Sequence, residues 1–508
     1  MLSLLLGLAV TNPWSHYGGS HAGDRYASAV QISRKTTHEL RVAWTFRTGD
    51  ASDGRAHFGK KSSFKATPVL FGEVLIFPTG FNRVLAIDAT TGRQRWRFDP
   101  RVDFSHPYSE QFTARGVELW RDPQRPAVCK ARVFFGTLDA KLWALDAKTG
   151  KPCLAFGRGG WIDLKRGIRG VRREDYSVTS PPLAIGDVVV VGSSIGDNGA
   201  VRLESGAVRA YDARTGKQRW RFDPAPSGAG GANVWTAMSA DRPRGLVFLP
   251  TTSPSPDFFG GHRPKNDGHA NSLVAVRAAT GEVVWHYRIV RHDLWDYDLA
   301  SQPLLLDWPV GDATRPAVAV ATKMGFVFVL DRETGQPLVK VEERAVPASN
   351  VPQEASAARQ RFSSIQLHPV GPELPRLWAH TAAQKERCAR MLRGVRYDGL
   401  FTPPSLTGSL MYPGNFGGAN WGSMSLHPGQ NTMFVIINRL PTVVKLMPRK
   451  VFRASAKARI LNGEPAQFTA MAGTPYGMAR FDVYHRPDSA PCFEGPWAQL
   501  VAVEVGTG

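Results

Sequence analysis

Long apolar runs, closely paired cysteines and blocks of like charge are all missing from this chain of 508 residues. No stretch reaches about 18 apolar residues, so the sequence predicts no transmembrane helix. No G-x-G-x-x-G turn follows a strand and opens a helix, so a nicotinamide dinucleotide is not expected. The four cysteines form no C-x-x-C pair, which argues against a structural zinc site. A disulfide is reasonable for Cys129 and Cys153, which flank one predicted hairpin, while the sequence leaves open whether Cys388 and Cys492 are bonded.

The charge is strongly basic, with 63 Lys and Arg against 43 Asp and Glu. The basic residues are scattered singly and mostly follow turns, as in TGRQRWRFD and TGKQRWRFD. A nucleic-acid partner is therefore not expected. The net charge of +20 favours solubility, docking to an acidic partner or, at most, peripheral contact with an anionic membrane surface.

The first residues, MLSLLLGLAV, are similar to the apolar part of a secretory signal. They lack a basic beginning and a clear cleavage site, so we interpret residues 1–12 as a clipped, signal-like remnant or the product of a misplaced start. A buried first strand is the alternative.

One repeated unit dominates the remaining sequence, from residue 13 to residue 508. Strong copies read VLAIDATTGRQRWRF (84–98), VRAYDARTGKQRWRF (208–222) and LVAVRAATGEVVWHY (273–287), and weaker copies cover 142–156 and 327–341. An alternating apolar run, a turn closed by Thr-Gly and a second alternating run predict a β-hairpin. Two more strand-like runs lie between copies, so each unit predicts a four-stranded antiparallel blade of a β-propeller.

The blades predict a single all-β domain with tryptophan-docking repeats, in which Trp96, Trp220 and Trp285 wedge between neighbouring blades. Residues 405–447 are expected to form a further blade. Residues 343–400, rich in Pro, Ala and Arg, are expected to be an insertion with a short helix near 382–396. The last residues, 500–508, match a hairpin without its Trp-bearing strand. A ring closed by the chain's own ends and a ring lacking its last blade both stay open.

The motifs SPSPDFFGGHRP, HDLWDYD and ATKMGFVFVLDRETG, together with the A-x-D-x-x-T-G-x-x-x-W repeat, closely resemble the quinoprotein dehydrogenases. This resemblance covers essentially the whole chain and is closest to the membrane-associated glucose and quinate branch. It implies an eight-bladed propeller that binds pyrroloquinoline quinone (PQQ) and Ca²⁺ or Mg²⁺. Members of that branch continue beyond the end of this chain, which favours a missing last blade.

The resemblance also assigns catalytic residues. Asp296 matches the general base, and Lys323 matches the cation beside the quinone oxygens, where it would stabilise developing negative charge. The residue pattern alone does not choose between Asp296 and its neighbours Asp293 and Asp298.

Further positions match cofactor and metal contacts of the family. Hard oxygen donors suit Ca²⁺ or Mg²⁺, and the ligands implied are Asp197, Asn198 and Asp296. The cofactor contacts implied are Arg115, Thr179, Ser194, Trp235, Lys323 and Asn415. Among these, Trp235 would stack on the planar cofactor and Arg115 would clamp a carboxylate.

Three positions depart from the family. Lys65 stands where many members have Glu or Gln, Gln111 replaces a His of the glucose type, and Ser253 stands near a lost Asn ligand. The sequence therefore predicts oxidation of a sugar, polyol or cyclic alcohol without fixing which one. The resemblance implies a membrane quinone or cytochrome c as electron acceptor, and a periplasmic location that includes the outer face of the inner membrane. A non-catalytic periplasmic propeller scaffold and a degenerate quinoprotein remain the alternatives.

Overall fold

A computed structural model describes residues 14–55, 59–124, 128–168, 175–225, 229–263, 267–485 and 489–508. The signal-like residues 1–12 lie outside these ranges. In the described residues, the regular secondary structure is almost entirely antiparallel strands, joined by long stretches of turn and loop, with two short α-helices of 10 and 7 residues. Over the same ranges, no helix has the length and apolar character that a membrane span requires.

The first half of the chain forms four sheets of four strands, each built from strands close together in sequence. We name them sheet 1 (β1–β4), sheet 2 (β5–β8), sheet 3 (β10, β11, β13, β14) and sheet 4 (β15–β18). A two-stranded pair, β9 and β12, lies beside sheet 3 in the sequence. The strands are β1 (Val69–Phe71), β2 (Val74–Pro78), β3 (Val84–Asp88), β4 (Gln94–Phe98), β5 (Glu118–Arg121), β6 (Ala131–Gly136), β7 (Lys141–Asp146), β8 (Trp161–Asp163), β9 (Tyr176–Ser177), β10 (Leu183–Ile185), β11 (Val188–Val191), β12 (Ser194–Ile195), β13 (Val208–Asp212), β14 (Gln218–Phe222), β15 (Ser239–Asp241), β16 (Leu246–Pro250), β17 (Ser272–Arg277) and β18 (Val283–Arg288).

The second half is less regular. Sheet 5 contains β19, β20, β21 and β24, sheet 6 contains β26, β27 and β33, and an extra sheet has the order β25-β28-β32-β31. Two small pairs, β22 with β23 and β29 with β30, complete it. The elements are β19 (Leu304–Val310), β20 (Ala313–Ala321), β21 (Phe326–Asp331), β22 (Val341–Ala345), β23 (Arg359–Ser363), β24 (Ile365–Gln366), α1 (Ala382–Met391), β25 (Ser409–Met411), β26 (Met424–His427), β27 (Thr432–Asn438), β28 (Thr442–Pro448), α2 (Arg449–Ser455), β29 (Ile460–Leu461), β30 (Glu464–Pro465), β31 (Gln467–Thr469), β32 (Tyr476–Asp482) and β33 (Ala498–Glu504), with 3-10 turns at Thr37–Glu39 and Pro428–Gln430.

The strong repeat copies form the predicted hairpins, β3/β4, β13/β14 and β17/β18. In the first of them, the Asp88 carboxylate accepts hydrogen bonds from the backbone N–H of Thr91 at 2.8 Å and from its hydroxyl at 2.9 Å. Gly92 then adopts a left-handed φ of 69°. The Asp and Thr side chains therefore close the turn, and glycine supplies the conformation that other residues avoid.

Tryptophan indoles link these hairpins to the next sheet. The Nε1 of Trp96 donates to Ala147 O at 3.2 Å, that of Trp220 to Ala278 O at 2.8 Å, and that of Trp285 to Arg332 O at 3.0 Å. Each ring covers the glycine of a Thr-Gly turn so closely that a Cβ there would lie 2.5–2.7 Å from the ring; these glycines are Gly150, Gly281 and Gly335. The glycine is required here for close approach as well as for its conformation.

The two weak copies, which lack this Trp, have interrupted hairpins. After the bridge between Leu145 and Pro152 the chain leaves sheet 2, and it returns as β8 only at Trp161. After the bridge between Leu330 and Pro337 it leaves sheet 5 and returns as β24. Cys153, in the first of these interruptions, forms a disulfide with Cys129, as the sequence suggested. A second disulfide joins Cys388 and Cys492.

The prediction of one blade over residues 405–447 is wrong. Strands β26 and β27 pair with β33 in sheet 6, whereas β25 and β28 belong to the extra sheet with β32 and β31. The pairing partners lie after residue 465, so a pattern read within 405–447 cannot show them. The short helix expected near 382–396 is α1, which a capping box at Thr381 begins and which ends at Met391.

Hydrophobic side chains pack the sheets face to face in succession. Separate clusters join sheets 1 and 2, 2 and 3, and 3 and 4, while sheet 5 packs on sheet 4 through one face and on sheet 6 through the other. The extra sheet packs differently, because Val444 and Leu446 join a cluster with the loop residues Trp295 and Phe401. It thereby reaches the loop between sheets 4 and 5 that carries the candidate site.

Candidate active site

A cavity of about 240 Å³ collects most of the sequence-predicted site residues. Its lining includes Arg115, Ser194, Asp197, Trp235, Asp296, Lys323 and Asn415. Thr179 lies behind the wall, with its hydroxyl 3.5 Å from that of Ser194. Asn198 is not part of the lining, and its buried amide atoms have no hydrogen-bond partner within the described residues. Residues more than 300 positions apart in sequence thus meet at one place.

Lys323 is at the centre of the charged groups. It lies in the turn between β20 and β21, and only 3% of its surface is exposed. Its Nζ donates to Asp296 O at 2.6 Å, to Asp296 Oδ1 at 2.8 Å and to Asp298 Oδ2 at 3.0 Å. Burial lowers the pKa of this ammonium, but the two carboxylates outweigh burial and raise it above its usual value. Lys323 is therefore a fixed positive charge.

The three aspartates of the loop HDLWDYD have different positions: one supports the loop, and two face the cavity. Asp293 turns inward and accepts hydrogen bonds from the backbone N–H of Trp295 at 2.9 Å and of Tyr297 at 2.8 Å, so it organises the loop. Asp296 and Asp298 face the cavity instead. Asp296 adopts a left-handed φ of 58°, which an aspartate tolerates better than most side chains and which is common at functional sites.

The two cavity aspartates differ in acidity. Burial, partly offset by Lys323 and reinforced by the charge of Asp298, raises the pKa of Asp296 to about 7. Burial also opposes ionisation of Asp298, but Lys323 and hydrogen bonds from Asp296 and the Ser253 N–H hold its pKa below the usual value. Asp298 is therefore the permanent counterion of Lys323. Asp296 remains a carboxyl group that can take and release a proton near neutral pH.

Carboxylates outnumber cations around the cavity. Burial and the charges of Asp298, Asp296 and Glu110 raise the pKa of Asp197 well above its usual value. The Asn415 amide nitrogen donates to Asp296 Oδ2 at 3.4 Å, while its amide oxygen accepts a hydrogen bond from the Thr442 hydroxyl at 3.3 Å. Buried carboxylates with an excess of negative charge are a donor set that fits a hard divalent cation.

Aromatic and basic side chains also line the cavity. The rings of Trp235 and Trp421 are 5.0 Å apart, and the guanidinium of Arg115 lies 3.6 Å from the centre of the Trp421 ring. Burial lowers the pKa of Arg115 to about 10, and its Nη1 has no hydrogen-bond partner within the described chain. Flat indoles beside an arginine with an unused donor fit a planar group that carries carboxylates.

The three residues that depart from the family pattern lie in different environments. The Lys65 residue is largely exposed, and the partial burial of its ammonium together with the nearby charge of Arg115 lowers the pKa of Lys65. Gln111 is exposed and accepts a hydrogen bond from Lys61 N at 2.8 Å. Ser253 is buried, and its N–H donates to Asp298 Oδ1 at 2.9 Å while its hydroxyl donates to Asp293. At this position the serine supports the loop aspartates.

Sequence reasoning missed several residues of the cavity. Asp298 was visible as part of HDLWDYD, but nothing in the pattern distinguished it from Asp293. No pattern singled out the others, although Ile195 and Phe416 directly follow the assigned positions Ser194 and Asn415. These residues are Glu110, Ile195, Phe416, Asn420 and Trp421.

The chain is similar to known proteins over almost its whole length. Residues 14–508 match the family described as PQQ: Glucose/ethanol/alcohol dehydrogenase, beta-propeller domain. The chain is 34% identical to quinoprotein glucose dehydrogenase A of Acinetobacter calcoaceticus, over 97% of this chain and 65% of that protein. It is also 34% identical to quinate/shikimate dehydrogenase (quinone) of Acinetobacter baylyi, over 97% and 64%. The chain thus spans slightly less than two thirds of these relatives.

Among solved structures, quinohemoprotein alcohol dehydrogenase from Comamonas testosteroni superposes with a TM-score of 0.68 at 23% identity, over 98% of this chain and 66% of that one. This likeness shows that the all-β arrangement is that of a propeller.

Proposed function

This chain belongs to the β-propeller family of PQQ-dependent glucose, ethanol and alcohol dehydrogenases, and we propose that it oxidises a hydroxyl group of a sugar, polyol or cyclic alcohol. The observation that carries the proposal is the position of Asp296, which is bonded to Lys323 at 2.8 Å while the Lys323 ammonium lies 5.8 Å from the centre of the Trp235 ring. A non-catalytic scaffold has no use for a buried carboxyl group of this acidity in a cavity lined by indoles.

Each of the residues around Lys323 would have its own role in this reaction. Asp296 in its ionised form accepts the proton of the substrate hydroxyl, and Lys323 holds that carboxylate in place through Oδ1. The Lys323 ammonium also stabilises negative charge that develops near it, which is the kind of electrostatic contribution that lowers a barrier most. Asp298 keeps the ammonium charged, and Trp235 donates its indole N–H to Asp298 Oδ2 at 3.2 Å, which fixes the ring.

The aromatic and basic side chains of the cavity support a proposal for the cofactor. A bound PQQ would supply the two-electron acceptor, and a Ca²⁺ or Mg²⁺ ion beside it would supply a Lewis acid. Trp235 would support the ring system and Arg115 would bind a carboxylate, with Ser194, Thr179 and Asn415 as hydrogen-bonding neighbours. Asp197, Asn198 and Asp296 would hold the cation.

Finer features follow from the family in the same way. We propose a ring of eight blades in which the indole contacts of Trp96, Trp220 and Trp285 dock one blade on the next. We also propose a periplasmic location with a membrane quinone or cytochrome c as acceptor. The name of the Acinetobacter baylyi relative, a quinate/shikimate dehydrogenase (quinone), supports the quinone.

Reconstitution tests the function. Purified protein is mixed with PQQ and Ca²⁺ or Mg²⁺, and reduction of a redox dye is followed with glucose, polyols and quinate. Turnover that needs both PQQ and the cation supports the proposal. Cofactor binding without turnover on any substrate supports a degenerate enzyme, and absence of cofactor binding supports a scaffold; either result overturns the proposal.

A further inference from the structure

A second group of ligating side chains lies away from the cavity described above. Residues 14–24 fold back on themselves through a bridge between His16 and Gly19, which places the rings of His16 and His21 3.6 Å apart. Both rings face Glu118, the first residue of β5 in sheet 2. His16 Nδ1 lies 3.0 Å from Glu118 Oε2, and His21 Nε2 lies 3.1 Å from Oε1.

The carboxylate is held rigidly. Glu118 is 3% exposed, and its Oε1 also accepts a hydrogen bond from Ala184 N in sheet 3 at 3.0 Å. Its two oxygens are therefore held between the backbone of sheet 3 and the imidazole nitrogens of His16 and His21.

The geometry of the three groups suits a metal ion. Their ligand atoms all lie within 4.8 Å of one another. In a tetrahedral site with bonds of about 2.0–2.1 Å, ligand atoms are separated by roughly 3.3 Å, so small shifts of the rings suffice. The histidines also line a cavity of about 710 Å³ that does not include the residues of the candidate active site, which leaves room for water or another ligand at a fourth position.

We propose that His16, His21 and Glu118 form a second metal site, for a borderline dication such as Zn²⁺, that ties the segment 14–24 to the junction of sheets 2 and 3. Two imidazole nitrogens with one carboxylate prefer Zn²⁺, Ni²⁺ or Cu²⁺ to the hard ions that an all-oxygen site selects. The proposal does not depend on the dehydrogenase function.

Calorimetric titration of the metal-free full chain with Zn²⁺, in an excess of Mg²⁺, tests the site. The expected result is one tight zinc per chain, with Co²⁺ giving visible ligand-field absorption in its place. His21→Ala and Glu118→Gln should each weaken zinc binding by at least about 100-fold, since even partners outside the coordination sphere contribute 10- to 100-fold. Glu118→Gln keeps the acceptor for Ala184, and its circular dichroism spectrum verifies that it is folded.

Two controls separate this site from others. His38→Gln, at an exposed histidine, should leave zinc binding unchanged. Asp197→Asn, in the candidate active site, should also leave it unchanged. Absence of tight zinc binding by the parent chain overturns the proposal, as does zinc binding that persists in the folded His21→Ala and Glu118→Gln variants.

Discussion

The indole of Trp220 and the ammonium of Lys323 are both buried, yet they depend on different kinds of sequence information. Trp220 lies four residues after the glycine of a repeated hairpin, and its partner Ala278 occupies the turn of the next copy. Lys323 lies in a turn whose backbone hydrogen bonds recur at Thr79–Arg83 in sheet 1 and Thr137–Lys141 in sheet 2, but those turns carry Gly80 and Leu138 at its position. Its carboxylate partners come from the loop between sheets 4 and 5. Contacts between sheets are thus specified by a periodic pattern. The cavity is specified by single residues that have no counterpart elsewhere in the chain.

This difference predicts that substitutions in the two regions have separable effects. The largest expected effect is on turnover: Asp296→Asn should lower kcat of the reconstituted protein by about 10²–10⁴-fold, because the amide cannot accept the hydroxyl proton. The thermal unfolding midpoint should change little. Asp307→Asn, at an exposed aspartate of β19, is the matched control. Dye reduction at the parent rate by Asp296→Asn would refute the assigned base.

Lys323→Met is the substitution that should lower both stability and turnover. It leaves the buried Asp298 without its cation and Asp296 with only Arg480, whose Nη1 lies 3.5 Å from Asp296 Oδ2. Breaking a buried ion pair typically costs about 3–5 kcal/mol in the free energy of unfolding. Turnover should also fall, since Asp296 loses the group that positions it. Lys340→Met, at an exposed lysine, should change neither quantity. Denaturant titration and dye reduction measure the two effects, and a stable but inactive Lys323→Met variant would contradict the structural half of the prediction.

Trp220→Ala should show the opposite behaviour to Asp296→Asn. The ring is 7% exposed and covers Gly281, so its removal leaves a cavity between sheets 3 and 4 that should cost about 3–5 kcal/mol. The reconstituted variant should keep its kcat at temperatures where it is folded. Trp161→Ala, at a half-buried Trp on the edge of sheet 2, should cost less than half as much. Equal losses of stability in the two variants would mean that an indole docked on a turn glycine stabilises the protein no more than the indole at the edge of sheet 2.

The same division explains what the sequence could predict. The hairpins followed from an alternating pattern with Thr-Gly turns, whereas the roles of Asp296, Lys323 and Trp235 were implied only by the family resemblance. The extra sheet did not follow from such a pattern, because β26 and β27 of sheet 6 lie in the sequence between β25 and its partner β28, and β28 then pairs with the distant β32. Trp421 and Glu110 did not, because a cavity wall drawn from separate loops has no period. Asp293 could be separated from Asp296 only through its bonds to backbone N–H groups.

The junction of sheets 2 and 3 gives the smallest predicted effect. Here the weak copy carries Leu154 where other copies carry Trp, and Leu154 is 75% exposed. The turn that an indole would cover is already occupied: Gly157 N donates to Thr215 O at 2.8 Å, and a Cβ at Gly216 would lie 2.9 Å from Gly157 N.

Leu154→Trp should therefore change the free energy of unfolding by less than about 0.5 kcal/mol, as substitutions on exposed surface usually do. Denaturant titration with the Cys129–Cys153 disulfide intact measures it, and Leu154→Phe controls for added surface hydrophobicity. A stabilisation of more than about 1 kcal/mol by Trp but not by Phe would mean that the indole displaces Gly157 from the turn. In that case, the residue at position 154 would decide whether this hairpin docks on the next turn. The interruption after Cys153 would then result from the missing indole and would not be the reason why the indole is missing.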